Sequence, residues 1–586
     1  MGLRLIWCCL ALCFQLDTAS ADVVRFSPFD DVGTAKGTLS YTNASAPSSG
    51  TLRLGSTVNF DSTNFMRFPG RAPHEMRHAF DTLLVPVRDQ TAVFYGLLAK
   101  DLDIADDFSF VRFHLEPVAR WHDGRAVTAE DVAFTFQSLR AHGLPRYRNA
   151  LRNIDIEIKD AHTITFKNRG ARSWRYIELL GTFPIQSKAF WSARAVGDIT
   201  LDIPLGSGPY RVSELSFNRE MVLERVEDYW AADHPVNQGR WNFDEIVVSY
   251  FFDETALIEA VKSGRLDVRR EFSAAAWDGR YDGDALSSNR IVKTTLPRAD
   301  AGALHTLVIN QRRPPFDDIR VREALGLLFD TQWYLDLFGG AYDAPGSFYG
   351  DTPFAAIGSA SAAERTLLAQ FAEQSPQGAV DSPAPQWPEQ RRQRMRRANA
   401  LLDEAEFELR GGVRINPITG DPWTVEFVTA HRASVERLEP YRKALEQVGI
   451  QLDLRAYDYV SGRRLILDHE YDLTLLTWQA SIPPGVQETW FWHSDQAGPH
   501  GYGLGGLNNP AVDYMIDQMQ VAKDLEDLQA AARAFDRLMR WGHYVVPMWH
   551  NASLWYVHGS DLRIPVGGHV ETDPIVHWWR APPPDN

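Results

Sequence analysis

The run His74-Glu75-Met76-Arg77-His78 matches the zinc-protease pattern HExxH letter for letter. On an α-helix its two imidazoles would lie one turn apart on one face, with Glu75 placed to activate a zinc-bound water. Pro73 stands directly before the first histidine, so the run would occupy the first turn of a helix. The positions where the extended pattern needs further ligands hold Asp81 and Leu84, and Glu116 and Glu130 fall in segments that read as a strand and a capped helix. The expectation is ordinary helix-start residues, with no metal and no catalytic residue. A secreted zinc metallopeptidase built on this run is the alternative. The chain has no GxSxG elbow, no GxxxxGKS/T loop and no GxGxxG after a strand, and Gly206-Ser207-Gly208-Pro209 reads as a tight turn. A second candidate for chemistry is aromatic. The chain has 18 Trp, 19 Tyr and 31 Phe, and Trp478, Trp490, Phe491, Trp492 and Tyr502 cluster in a Pro/Gly-rich stretch. An irregular aromatic stretch either caps a core or lines a ligand cleft, and both readings stand. If it is extended, Trp490 and Trp492 alternate around Phe491 and cannot all face one way, so at least one should face the cleft.

Such residues need a scaffold, and the pattern is of short strands mixed with capped helices. Val111, Phe113 and Leu115 alternate with Arg112 and His114, which predicts a strand over 108–115, followed by an Asp123-Gly124 turn. Thr128 reads as an N-cap whose side chain can take the Asp131 amide, and Val132, Phe136 and Leu139 line one face of a helix that runs to Gly143. Strands are predicted over 245–252 and 304–310, and helices over 255–263, closed by Gly264, and over 318–330. Residues 375–390 read as a surface loop, and the arginines at 391, 392, 394, 396 and 397 as a solvated helix face. Strands alternating with helices throughout predict α/β domains with mixed sheets.

Composition narrows the function classes. With 76 Asp+Glu against 60 Lys+Arg the formal charge is −16, which repels nucleic acids and anionic lipid surfaces. After the first twenty residues no apolar run is long enough to span a membrane. Met1 to Ala21 has Arg4, an apolar stretch from Leu5 to Leu16 and the triplet Ala19-Ser20-Ala21, and so reads as a secretory signal peptide cleaved before Asp22. All three cysteines, Cys8, Cys9 and Cys13, lie inside it, so the mature chain would have neither disulfide nor thiolate site. Bulky Leu12 before Cys13 argues against lipidation there.

Several segments together resemble a known family. The run from Phe113 through Trp121-His122-Asp123-Gly124 to Val132 resembles the signature of the family 5 extracellular solute-binding proteins, the peptide, dipeptide and nickel receptors of ABC importers. Gly206 to Val212 is similar to their GTGPY turn. Asn242 to Ile246, Gly264 to Asp267 and Asn310 to Leu325 resemble the oligopeptide and microcin C-type branch. The resemblance implies a two-lobed periplasmic binding protein fold, α/β with mixed sheets, joined by two chain crossovers and enclosing the ligand. Lobe 1 would take residues 22–296 with an extra subdomain at 73–200, lobe 2 residues 297–550, and 551–586 would return to lobe 1. It also implies a monomer that delivers a peptide-like solute to an inner-membrane permease and ATPase, without catalysis or cofactor. Trp478, Gln479, Ser481, Glu488, Trp490, Trp492 and Tyr502 then become the candidate ligand contacts. In such receptors an aspartate just after the Trp-bearing strand pairs with the ligand's α-ammonium. Here 478–485 contains no acid and the first carboxylate is Glu488. Either Glu488 takes over the ammonium, or it is a solvated loop residue and a ligand without a free amine there is held by Gln479, Ser481 and the aromatics.

Overall fold

The computed structural model describes residues 22–67, 70–170, 173–194, 196–298, 300–376, 378–498, 502–551, 553–565 and 573–582. The expected signal peptide and all three cysteines lie outside these residues.

Strand pairing divides the chain into two sets. One five-stranded mixed sheet is built from Gln451–Ala456, Thr424–Thr429, Leu473–Trp478, Ala303–Ile309 and Val545–Asn551, in that spatial order. Apart from the hairpin Glu408–Arg410 with Val413–Ile415, every other described sheet uses strands that begin before residue 298 or after 552. Among these, Thr51–Ser56 pairs in parallel with Glu245–Tyr250, and Ser553–Gly559 lies between Val268–Glu271 and Ile291–Pro297. The chain therefore passes between the two sets twice, from Pro297 to Ala303 and from Asn551 to Ser553.

The cores respect this division. Two buried clusters are drawn from residues between 301 and 549, and four from residues outside that range. Phe29 packs at the edge of one cluster from each side. Two lobes with separate cores joined by two short crossovers can rotate with little loss of buried apolar surface.

Local expectations hold with informative differences. The strand over 108–115 spans Phe110–Leu115, and the helix after it is Ala129–His142 with Gly143 as its C-cap. The helix opens on a capping box between Thr128 and Asp131, in which the Thr128 side chain faces the Asp131 amide as expected and the Asp131 carboxylate reaches back to accept from Thr128 N at 3.0 Å and Thr128 Oγ1 at 3.1 Å. The helix predicted over 318–330 ends at Leu328, where the chain turns extended at Phe329 before a second short helix, Thr331–Leu337. Arg391, Arg392, Arg396 and Arg397 lie exposed on helix Arg391–Glu404, while Arg394 turns inward to Asp330 at 3.0 Å. The strand Val23–Ser27 pairs with Phe94–Gly96, so the N-terminal hairpin shares a sheet with residues that follow position 73. Alternating, individually weak strand signals do not announce so distant a partner.

Candidate functional site

The HExxH run forms no α-helix. Glu75–Ala79 is a single 3₁₀ turn. At three residues per turn, positions i and i+4 project about 120° apart rather than onto one face. His78 is accordingly buried against Trp241, ring centroids 5.4 Å apart, with Nε2 3.8 Å from Asp573, while His74 is exposed. Burial pulls the His78 pKa down to about 4. Among the described residues no group of three or more His, Cys, Asp or Glu could hold a metal ion. The turn instead seats the Gly206-Ser207-Gly208 loop. A Cβ on Gly206 would stand 2.1 Å from the Ala79 carbonyl oxygen and one on Gly208 2.7 Å from Phe80 N, so only glycine allows this approach.

The aromatic stretch of the second lobe is helical from Val486 to Trp492, not extended, and most of it faces inward. Trp478 is 2% exposed and Trp492 1%, their rings 5.6 Å apart, and the Trp478 Nε1 donates to Phe348 O at 2.9 Å. Glu488 is fully buried. Its Oε2 accepts from Gly485 N at 2.5 Å and caps the helix, while burial raises its carboxyl pKa despite the nearby Arg175 guanidinium. Trp478, Trp492 and Glu488 therefore present no surface to a solute in this arrangement. The expectation of ligand contact is corrected for these three: an aromatic helix with a buried cap packs better inward than outward. Gln479 is exposed and donates to Asp300 in the first crossover at 3.1 Å, Ser481 and Trp490 are half-buried, and Tyr502 is exposed.

Sequence reasoning missed the groups from the opposite side that meet this stretch. Arg175, on helix Arg175–Thr182, donates through Nη1 to Pro483 O at 3.1 Å and through Nη2 to Pro484 O. Its guanidinium also lies over the Trp174 ring, 4.3 Å from the centroid. A Cβ on Gly485, whose φ is +141°, would stand 2.7 Å from Arg175 Nη2, so the glycine makes room for the clasp. A single Arg amid many carries no sequence signal for such a role.

Beside the clasp lies a cavity of about 770 Å³ walled by both lobes and the first crossover. Its charged groups are Arg88, Asp89, Glu178, Arg298, Asp300 and Asp351. Arg298 and Asp300 pair with each other (Nε to Oδ1, 2.6 Å). Arg88 also lines a second cavity, of about 540 Å³, on the first lobe. That cavity shares Ser56, Val58, His74, Glu75 and Arg77 with a third, of about 610 Å³. The two first-lobe cavities adjoin through these residues, Arg88 borders both the second and the inter-lobe cavity, and together they form a trench larger than a single amino acid would fill. Its apolar contacts are unusually available: Val58 is 54% and Phe272 66% exposed. Exposed side chains of this size on a concave wall suit a solute better than water.

The family model described as bacterial extracellular solute-binding proteins, family 5, middle region, matches residues 93–499. The uncharacterized protein YejA of Escherichia coli (strain K12) is 32% identical over 545 residues, covering 92% of this chain and 90% of that one. The peptidoglycan-binding protein YepA of Agrobacterium fabrum is 29% identical over 572 residues, covering 92% of each. Among solved structures, the oligopeptide-binding protein AppA of Bacillus subtilis, in complex with a nonapeptide, superposes with a TM-score of 0.67. It is 16% identical and the match covers 92% of this chain and all of that one, a likeness of fold.

Proposed function

Because the chain belongs to the bacterial extracellular solute-binding proteins of family 5, we propose that it captures a peptide or peptide-like solute between its lobes and presents it to an ABC importer. The observation that carries the reading is the trench: one end is walled by both lobes at the crossover, so a solute there touches both and favours their closure. Its length suits an extended or branched solute. The names of relatives point the same way, since YepA is a peptidoglycan-binding protein and AppA holds a nonapeptide.

In this reading the lobes are 22–296 with 551–586 and 297–550, hinged at 297–303 and 550–553, and the protein acts as a monomer in the periplasm after loss of residues 1–21. No helix of the described residues is long and apolar enough to cross a membrane. Gln479, Ser481, Trp490 and Tyr502 are the second-lobe contacts, positioned by buried Trp478, Trp492 and Glu488 behind them. The protein binds and releases its solute unchanged.

Mass spectrometry of whatever co-purifies from the native periplasm tests the solute class, and small-angle scattering on adding back that solute tests closure. An intact peptide-like solute and a smaller radius of gyration are expected. Recovery of the solute as cleavage products, or an unchanged radius at saturation, would overturn the reading.

A further inference from the structure

The first-lobe part of the trench carries a charge opposite to that of the chain. Its two cavities are lined by six arginines, at 71, 77, 88, 146, 269 and 270, against three carboxylates, Glu75, Glu254 and Asp573. The chain as a whole has 60 Lys+Arg against 76 Asp+Glu. Part of this positive charge is satisfied internally. Arg269 pairs with Glu254 and with Glu271 at 3.2 Å, Arg270 lies 4.9 Å over Phe272, and Arg146 donates to Tyr147 Oη at 3.0 Å.

Arg71, Arg77 and Arg88 differ. Among the described residues none has a carboxylate within ion-pair distance of its guanidinium, and none donates a side-chain hydrogen bond. Arg77 is open to water yet surrounded by protein, and burial lowers its pKa, with Arg88 adding to the depression. The nearby carboxylates compensate the pair only in part: the Asp573 charge favours both guanidiniums, but from beyond ion-pair distance. Asp573 faces His78 at 3.8 Å, and burial raises the Glu75 pKa. Arg240, whose charge opposes that of Arg88, is held by Val236 O at 3.2 Å and Asn237 Oδ1 at 3.3 Å and has no carboxylate within ion-pair distance among the described residues. Two guanidiniums on one cavity, met by Asp573 only from beyond ion-pair distance, leave room for an external anion to complete them.

Resting on the peptide reading above, we infer that Arg77 and Arg88 form an anion subsite that receives carboxylates of the bound solute, so that acidic peptides are the preferred substrate class. Arg77 reaches the trench because the HExxH run is a 3₁₀ turn, which buries Met76 and His78 and leaves Arg77 on the open side. The inter-lobe cavity carries the reverse balance, Asp89, Glu178, Asp300 and Asp351 against Arg88 and Arg298. A solute with its amine toward the crossover and its carboxylates toward Arg77 would match both ends.

The test uses a random-sequence octapeptide library as probe, with the mature protein and the Arg77→Gln/Arg88→Gln variant. Peptides retained on each are sequenced by mass spectrometry at low salt and at about 0.5 M NaCl. For the wild type, an Asp/Glu-rich retained pool is expected, and affinity should fall about tenfold when a selected peptide has its carboxylates amidated. The bias should weaken at high salt and vanish in the double variant, which should still retain peptides. Peptide retention by the wild type without acidic bias would overturn the anion subsite and leave the peptide reading intact. An acidic bias that persists in a folded double variant would also overturn it. No peptide retention by the wild type would overturn both. Should the double variant not fold, the wild-type bias, its salt dependence and the amidation penalty decide alone.

Discussion

The two walls of the trench use their functional-looking residues in opposite ways. On the second lobe, Trp478, Glu488 and Trp492 have the types of a ligand site, yet the two tryptophans are packed against Phe348 and each other and Glu488 is buried as a helix cap. On the first lobe, Arg77 and Arg88 look like ordinary solvated charges in the sequence, yet they face a cavity where arginines outnumber carboxylates and, among the described residues, neither has an ion-pair partner. The difference teaches that aromatic density marks where apolar area must be buried, whereas a binding surface is marked by groups left unsatisfied. Packing consumes aromatics, and only an external partner can complete an unpaired guanidinium.

Truncation of the second-lobe aromatics is the strongest way to break that contrast. Trp478→Ala and Trp492→Ala should each lower the stability of the empty protein by about 3–5 kcal/mol, read as a fall in the denaturant midpoint. An unchanged midpoint together with lost affinity would return these residues to the ligand.

The clasp between the walls comes next. Arg175→Ala removes charge-assisted hydrogen bonds to two carbonyls, which should shift the lobe equilibrium toward opening by about 2 kcal/mol. The radius of gyration of the solute-free protein should then rise while its secondary structure stays the same. A radius identical to that of the wild type would show that the clasp does not hold the lobes.

A smaller effect separates packed from available groups by pH. Burial pulls the His543 pKa in the second lobe from 6.5 down to about 3. The unfolded chain takes up a proton below about pH 6.5 that the folded site refuses, so this contribution is fully present above pH 6.5 and is lost as pH falls toward 3. Asp81 in the first lobe, raised by burial to about 7, works in the other sense, favouring the fold at low pH and losing its contribution as pH rises through about 7. His543→Gln should therefore flatten the acid loss of stability by about 1–2 kcal/mol between pH 7 and pH 5, measured by urea denaturation. An unchanged slope would mean that His543 is hydrated.

The smallest expected effect sharpens the contrast most. Arg77→Gln and Arg88→Gln should change stability by less than about 0.5 kcal/mol, because neither guanidinium holds the fold together. A loss of more than about 1 kcal/mol in thermal denaturation would place them in the scaffold instead.

Much of the fold was legible in the residues. Alternation at 110–115, the Thr128-to-Gly143 helix signals and the Asn310–Leu325 run led to a strand, a capped helix and a family, because these depend on neighbours within a few positions. The family resemblance also supplied two lobes, a fact that no local pattern contains. The candidate site was less legible. The stretch 478–502 was located, but which of its side chains turn inward depends on Phe348, Tyr349 and the helix Leu525–Trp541, far away in sequence.

By itself, the sequence determined charge, the compartment signals, the elements and the family, all of them properties of composition or short range. Only the tertiary structure decided that His74-Glu75-Met76-Arg77-His78 is a 3₁₀ turn rather than a zinc helix. The reason is the close approach of the Gly206–Gly208 backbone to Ala79 and Phe80. It also decided that Arg77 and Arg88 share a cavity, that Arg175 meets Pro483 and Pro484, and that Glu488 is a cap. Each of these is set by contacts between residues tens to hundreds of positions apart, and a side chain's role follows from which partners that packing brings to it or withholds.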